Sequence, residues 1–200
     1  MVGHPHRGSL SQMNVPAISL VAATWLAEQT AAVAHGDMVA LATAFGRARR
    51  HHPDVEAART ALVLAIPSAD PVAWLAMLDR LFATAGLDEL VTLYRGLPRY
   101  PHPEMLRLRA AAGIRSSMQT VFEAVALDNP YPAYWLADEP FNQMVLKGFF
   151  CLCDHRRILG LRERANAALG SMLTDYRRER VVASRPIPPG LDEVVLWCQS

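Results

Sequence analysis

The chain has 200 residues, of which 52% are hydrophobic, 8% aromatic and 20% charged, and its net charge is +1 at pH 7. This length supports one sizeable core, so a single domain over residues 1–200 is expected. The balanced charge excludes a general attraction to nucleic acid or to an anionic membrane. Cys151, Cys153 and Cys198 form no disulfide framework, which suits a reducing compartment.

The first helix is predicted to begin at Pro16, after a lead-in of residues 1–13 that is expected to be flexible. Apolar residues at the spacing i, i+3, i+4 and i+7 indicate its buried side. These residues are Ile18, Val21, Ala22 and Trp25. The apolar stretch Val15–Ala27 is shorter than the roughly 20 residues of a membrane-spanning helix, so the chain is not expected to span a membrane.

A secretory signal peptide is an alternative interpretation of the same region. Ala32, Val33 and Ala34 have the small-residue spacing of a cleavage site. Trp25 and Glu28 argue against it, because they interrupt the apolar stretch that a signal peptide needs. The sequence therefore favours an amphipathic first helix and a cytoplasmic protein, and it leaves open whether the N-terminal 35 residues are processed.

Turn residues divide the rest of the chain into helices of roughly 10 to 15 residues, with breaks about every 20 residues. At the clearest break Asp70 is a predicted N-cap and Pro71 the first helical residue. Leu78 belongs to the buried stripe of the helix that follows. The pattern predicts an all-α fold, an array of antiparallel helical hairpins. Two pairs, 53–84 and 87–112, have the length of a HEAT repeat, which predicts α-solenoid character.

Polar residues interrupt a strongly apolar helix that is predicted over residues 138–150. Gln143 and Lys147 are four residues apart and share one face, which looks at water or lines a pocket. Arg115 and Gln119 repeat this spacing near the start of an earlier helix, where backbone N–H groups add partial positive charge. Together with Asn142, these groups could hold an anionic or polyoxygenated ligand.

The alternative is that these polar groups cap helix ends and bind loop carbonyls around the segment Asn129–Pro132. That segment is predicted to be non-helical, because each proline disfavours helical geometry in the residue before it. Ser116 or Ser117 is predicted to cap the helix that follows Arg115.

The string Cys151-x-Cys153-Asp154-His155 invites a metal-site interpretation. Two cysteines at i and i+2 of a helix point about 200° apart, however, and no second pair of ligands accompanies them. No metal and no cofactor are therefore expected. The chain also contains no glycine-rich phosphate loop, no G-x-S-x-G elbow and no H-E-x-x-H motif, so no catalytic residues are predicted.

Several strings in the chain carry a resemblance to a known family. They are Leu93-Tyr94-Arg95-Gly96-Leu97-Pro98, Pro101-His102-Pro103-Glu104, Gly113-Ile114-Arg115-Ser116, Val121-Phe122-Glu123-Ala124, Asn129-Pro130-Tyr131-Pro132-Ala133, Asn142-Gln143-Met144-Val145-Leu146-Lys147, Arg164-Ala165-Asn166, Met172-Leu173, Asp175-Tyr176 and Glu179-Arg180. In order and spacing they resemble the EboA family, from about residue 71 to residue 180. The chain departs from the family pattern at Ser117, Ala167 and Arg178, where asparagine, proline and histidine are expected.

The resemblance implies a product of a small bacterial gene cluster that also encodes a UbiA-type membrane prenyltransferase and several soluble enzymes. The cluster is associated with moving secondary metabolites or their precursors toward the periplasm. For EboA itself the resemblance implies no reaction, and it makes the other cluster products candidate partners.

The polar residues of the densest matches are predicted to converge on one concave ligand-binding site. They are Arg115, Gln119, Asn129, Tyr131, Asn142, Gln143 and Lys147. Arg115 and Lys147 would supply positive charge to an anionic or carbonyl-bearing ligand. Asn142 and Gln143 would orient that ligand, and Tyr131 would form an apolar wall with a polar tip.

The predicted function is non-catalytic binding of a metabolite or a partner protein in secondary-metabolite traffic. One alternative is an enzyme acting on a hydrophobic, prenylated or phosphorylated precursor, with Arg115 and Lys147 binding its phosphate. The other is a protein–protein scaffold that docks on the membrane prenyltransferase through a concave helical face. The sequence identifies neither the metabolite, nor the partner protein, nor the oligomeric state.

Overall fold

A computed structural model describes residues 15–199, with side chains from Leu20 onward. All regular structure in this range is helical, which confirms the predicted all-α class. The described residues form two compact units, one ending at Pro67 and the other beginning at Ser68. The single domain over residues 1–200 stays a prediction, and the predicted flexible lead-in of residues 1–13 lies outside the described range.

Three helices make up the described part of the first unit, residues 15–67. They are α1 (Val15–Ala34), α2 (Met38–His51) and α3 (Val55–Leu64). Helix α1 packs against both of the others. Asp37 and Asp54 are the N-caps of α2 and α3, and the Asp37 carboxylate accepts two backbone N–H groups at 2.9 Å. These caps satisfy donors that the first turn of a helix cannot satisfy itself.

The stripe predicted for α1 is wrong in one position. Ala22 is buried and Trp25 half-buried, but Val21 is 69% exposed on the outer side of the helix. The side chain of Ile18 lies outside the described residues. Glu28 is the only charged residue of α1, so apolar residues occur all round the helix and the apolar pattern alone does not fix its phase.

Between residues 68 and 199, the described part of the second unit, there are eight α-helices. They are α4 (Pro71–Thr84), α5 (Leu87–Arg95), α6 (Arg107–Arg115), α7 (Gln119–Ala126), α8 (Tyr131–Trp135), α9 (Asp138–Phe150), α10 (Ala167–Val182) and α11 (Leu191–Trp197). Single turns of 3-10 helix cover Leu97–Arg99, Pro103–Leu106 and His155–Arg157. Most of these helices have fewer than four turns, so the unit contains many helix ends.

The predicted start of α4 is confirmed. The Asp70 carboxylate accepts backbone N–H groups at 2.9 and 3.2 Å, and Pro71 is the first helical residue, where its missing N–H costs nothing. The buried stripe is also confirmed, since Trp74 and Leu78 are both fully buried.

Two local predictions are corrected. Neither Ser116 nor Ser117 is the N-cap of α7, because Met118 occupies that position. The Ser116 hydroxyl instead accepts the backbone N–H of Met118 at 3.1 Å, before the helix begins. The segment Asn129–Pro132 is also partly helical, because α8 begins at Tyr131. A proline within the first helical turn loses no internal hydrogen bond, and its fixed φ suits a helix start.

Helix α7 lies in the interior of the second unit and packs against α5, α6, α8 and α9. Gly113 of α6 permits this close packing. A Cβ at Gly113 would lie 2.6 Å from the Tyr94 ring of α5 and 2.6 Å from the Val125 side chain of α7. Contacts at this distance would force one helix away from the other two.

Helices α9 and α10 run parallel, although antiparallel neighbours were predicted. Asn142 near the start of α9 pairs with Asn166 at the start of α10, and the Phe150 ring at the end of α9 lies 4.2 Å from the Tyr176 ring. The predicted hairpin 53–84 is moreover divided between the two units. HEAT-like solenoid character is therefore not confirmed.

We expect Leu78→Ala to lower the free energy of unfolding by about 2–5 kcal/mol, because it leaves a cavity in the core of the second unit. Leu108→Ala is the matched control, since the Leu108 side chain is 84% exposed and its loss should cost less than about 0.5 kcal/mol. Urea denaturation measures both variants. Equal costs would contradict the assigned core.

Candidate functional site

Lys147 is the only lysine among the 20 lysine and arginine residues of the chain. It lies in the last turn of α9 and is half-buried. Its ammonium group donates hydrogen bonds to the carbonyl oxygens of Ile114 at 2.6 Å and Ser116 at 2.7 Å. Its Nζ also lies 4.8 Å from the centre of the Phe122 ring.

These contacts place a positive charge at the C-terminal end of α6. The last carbonyls of a helix have no partner within the helix and carry partial negative charge, so a cation there is favourable. A lysine ammonium is compact and its three N–H groups can turn toward two nearby carbonyls, whereas the flat guanidinium of arginine has a fixed fork. Lys147 therefore connects α9 to the junction of α6 and α7.

Asn129 is fully buried and uses both ends of its side-chain amide. Its Nδ2 donates to the carbonyl oxygens of Tyr94 at 3.1 Å and Ala124 at 2.9 Å, which lie in the last turns of α5 and α7. Its Oδ1 accepts the backbone N–H of Tyr131 at 3.0 Å. One amide thus satisfies the ends of two helices and the start of α8.

Tyr131 is only 1% exposed, and its hydroxyl donates to the Pro103 carbonyl at 2.5 Å. Burial raises the pKa of this phenol to about 12, an effect that Arg107 opposes and Glu104 reinforces. The ring stacks on Trp135 with centroids 6.5 Å apart. Tyr131 is therefore an internal contact between α8 and the 3-10 turn before α6.

Asn142 is 2% exposed and forms a reciprocal amide pair with Asn166. The two amides exchange hydrogen bonds of 3.1 and 3.2 Å. The Asn166 Oδ1 also accepts the Leu169 N–H at 3.0 Å and so caps α10. This pair fixes the starts of α9 and α10 side by side.

Arg164 belongs to the same set of contacts, although its individual role was not predicted. Its guanidinium donates to the Pro132 and Ala133 carbonyls at 3.0 and 3.1 Å, forms an ion pair of 2.7 Å with Asp138 and lies 4.2 Å from the centre of the Phe141 ring. The sequence signal was its place in the string Arg164-Ala165-Asn166. Its partners lie about 30 residues away, so spacing alone could not identify them.

The remaining three predicted residues are exposed. Gln119 donates to the Glu123 carboxylate at 2.7 Å on the surface of α7. Gln143 faces solvent on α9, one turn before Lys147. Arg115, the last residue of α6, is also exposed. Its charge acts on Tyr94: burial raises the pKa of Tyr94, and the positive charges of Arg109 and Arg115 partly offset that rise.

The hydrogen bonds of the four buried or half-buried residues, Asn129, Tyr131, Asn142 and Lys147, lie in three places. Convergence of all seven residues on one ligand site stays a prediction. Lys147 binds the carbonyls of Ile114 and Ser116, which flank Arg115 in the sequence. Gln119 follows four residues after Arg115. The pair Asn129 and Tyr131 joins α5, α7 and α8, and Asn142 binds at the start of α10. For the buried residues these contacts match the alternative that polar side chains cap helix ends.

The three cysteines are free thiols. Burial, reinforced by the charge of Glu123, raises the pKa of Cys153 to about 11, which disfavours the thiolate that binds metals and acts as a nucleophile. Within the described residues no three histidine, cysteine, aspartate or glutamate side chains are grouped so that they could hold a metal ion.

A family model described as "Metabolite traffic protein EboA" matches residues 34–196. The match extends in both directions beyond the region of about residues 71–180 where the sequence motifs lie, and it includes all seven predicted residues. No curated protein and no solved structure matches the chain. In the described part of the chain, every helix is too short or too polar to cross a membrane.

We expect Lys147→Met to lower the free energy of unfolding by about 1–3 kcal/mol, because two carbonyl oxygens lose a charged donor. Gln143→Met also introduces methionine, at an exposed position one turn earlier, and should change the free energy of unfolding by less than about 0.5 kcal/mol. Urea denaturation would contradict the assignment if both variants were as stable as the unsubstituted chain.

Tyr131 gives a pH-dependent prediction. An unfolded tyrosine ionises near pH 10, whereas folded Tyr131 keeps its proton to about pH 12. Over this window the unfolded state binds fewer protons, so stability should fall as pH rises. Tyr131→Phe should flatten this dependence, and Tyr134→Phe, at an exposed position, should leave it unchanged. Denaturant titrations at a series of pH values measure it, and equal slopes for the two variants would contradict it.

Proposed function

Because the chain belongs to the EboA family of metabolite-traffic proteins, we propose that it is a non-catalytic binding protein for a metabolite or for a partner protein in that traffic. We place this activity in the cytoplasm and in the movement of a secondary metabolite toward the periplasm. A UbiA-type prenyltransferase of the membrane and other products of the same gene cluster are the proposed partners. The family match over residues 34–196 carries the proposal.

The proposed binding surface lies where α6, α7 and α9 meet. Arg115 and Lys147 supply two positive charges there. The Lys147 ammonium binds the carbonyls of Ile114 and Ser116, the two residues that flank Arg115 in the sequence. Gln119 and Gln143 are exposed on α7 and α9 and offer amide donors and acceptors. A carboxylate, phosphate or carbonyl oxygen is the group that such a surface suits.

Asn129, Tyr131 and Asn142 contribute to this proposal from below the surface. Their polar atoms hold the ends of α5, α7, α8 and α10, so they fix the positions of the helices that carry the charges. A residue in this position affects binding through geometry, and its loss would affect stability as well as binding.

Arg115→Gln tests the proposal, because Arg115 is exposed and its substitution should leave stability within about 0.5 kcal/mol of the unsubstituted chain. In a bacterium that carries the gene, untargeted mass spectrometry of cytoplasmic and periplasmic extracts reports the distribution of metabolites. We expect Arg115→Gln to reproduce the redistribution caused by deleting the gene.

Arg185→Gln is the matched control, since Arg185 is an exposed arginine between α10 and α11. It should leave the metabolite distribution unchanged. The proposed surface is wrong if Arg115→Gln gives the same metabolite distribution as the unsubstituted chain. It is also wrong if both arginine variants change the distribution equally.

A further inference from the structure

An open groove of about 520 Å³ lies between α10 and the residues Cys198 and Gln199, which directly follow α11. None of the residues that line it belongs to α6, α7 or α9. Its floor consists of small side chains of α10, Ala167, Gly170 and Ser171. Gly170 cannot be replaced without moving α11, because a Cβ there would lie 2.8 Å from the Cβ of Cys198. The volume falls in the range of small-molecule sites, and the groove exists because these residues are small.

The wall opposite α10 consists of Cys198 and Gln199, whose backbone N–H groups donate to the Val194 and Leu196 carbonyls at 3.2 Å, so its position follows that of α11. Leu191 and Val194 are fully buried, and Arg177 of α10 pairs with Asp192 at 2.7 Å. The His155 ring lies directly against Gly190, whose positive φ of 78° and missing Cβ leave room for the ring. These contacts anchor the start of α11 on the second unit.

One end of the groove carries one charge of each sign. Asp175 and Arg178 are three residues apart on α10, more than half exposed, and joined by a single bond of 3.2 Å between Oδ1 and Nη1. The second carboxylate oxygen and the other guanidinium N–H groups remain open to a ligand. An exposed ion pair of this kind contributes little to stability, so a ligand can replace it at small cost.

We propose that this groove binds a small zwitterion of the α-amino-acid class. The ligand carboxylate binds Arg178, its ammonium group binds Asp175, and its side chain lies on the floor at Gly170 and Ser171 toward Cys198. The carboxylate and ammonium of an α-amino acid are neighbours, as are the two protein charges. A polyanion is disfavoured because Asp175 repels it. This inference is independent of the proposed function, which concerns another surface.

Three probes of matched size separate the charges: leucine, 4-methylpentanoate, which lacks the ammonium group, and 3-methylbutylamine, which lacks the carboxylate. Titration followed by amide NMR should show leucine shifting the backbone signals of Gly170 and Cys198. We expect each single-charge probe to bind at least about tenfold more weakly, since one of two charged contacts is lost. Equal binding of leucine and 4-methylpentanoate would overturn the zwitterion assignment.

Variants of the groove locate the binding. Arg178→Gln and Asp175→Asn should each weaken leucine binding at least about tenfold. Ser171→Leu should abolish it by filling the floor, and Arg185→Gln, outside the groove, should leave it unchanged. The thermal unfolding midpoints of the Arg178 and Asp175 variants should stay constant, because both side chains are exposed. The proposal fails if leucine shifts no signals of α10 and α11, or if these two variants bind leucine as the unsubstituted chain does.

Discussion

The second unit depends on how the carbonyl oxygens at the ends of its short helices are satisfied. Each α-helix leaves its last four carbonyls without a partner inside the helix, and leaving such groups buried and unpaired costs about 1–3 kcal/mol each. Polar side chains from distant parts of the chain supply the missing donors. Asn129 binds the ends of α5 and α7, Lys147 binds the end of α6, and Arg164 binds carbonyls of α8. These side chains connect helices that have too few turns to be stable by themselves.

This constraint also decides which groups remain available for function. Internal hydrogen bonds occupy the polar side-chain atoms of Asn129, Tyr131 and Asn142. The side chains of Arg115, Gln119 and Gln143 are exposed on the surface. Lys147 belongs to both sets, because it holds α6 and at the same time brings positive charge to the surface beside Arg115. Any binding at this surface is thus coupled to the packing of α9 against the α6–α7 junction.

Local signals in the sequence predicted local structure well. Asp70 and Pro71 start α4 as predicted, and the limits of α9 agree with the predicted 138–150, because caps and apolar stripes act within a few residues. The sequence failed where partners are far apart or signals are ambiguous. The apolar residues all round α1 hid its phase, and the prolines around Tyr131 looked like helix breakers although they suit a helix start. The donors on Asn129 and Arg164 were visible, but their acceptors lie in other helices, so a buried hydrogen bond and a ligand contact look the same in the sequence.

Lys147 allows the most direct test of this account, because it is the only lysine of the chain and therefore the only side-chain amine that an acylating reagent can convert to a stable amide. Mass spectrometry would follow the acylation rate of Lys147 in the native protein and in urea, with a short lysine-containing peptide added as the reference. If the ammonium group is held by the Ile114 and Ser116 carbonyls, native Lys147 should react at least about tenfold more slowly than unfolded Lys147. Equal rates in the two states, relative to the reference, would contradict the account.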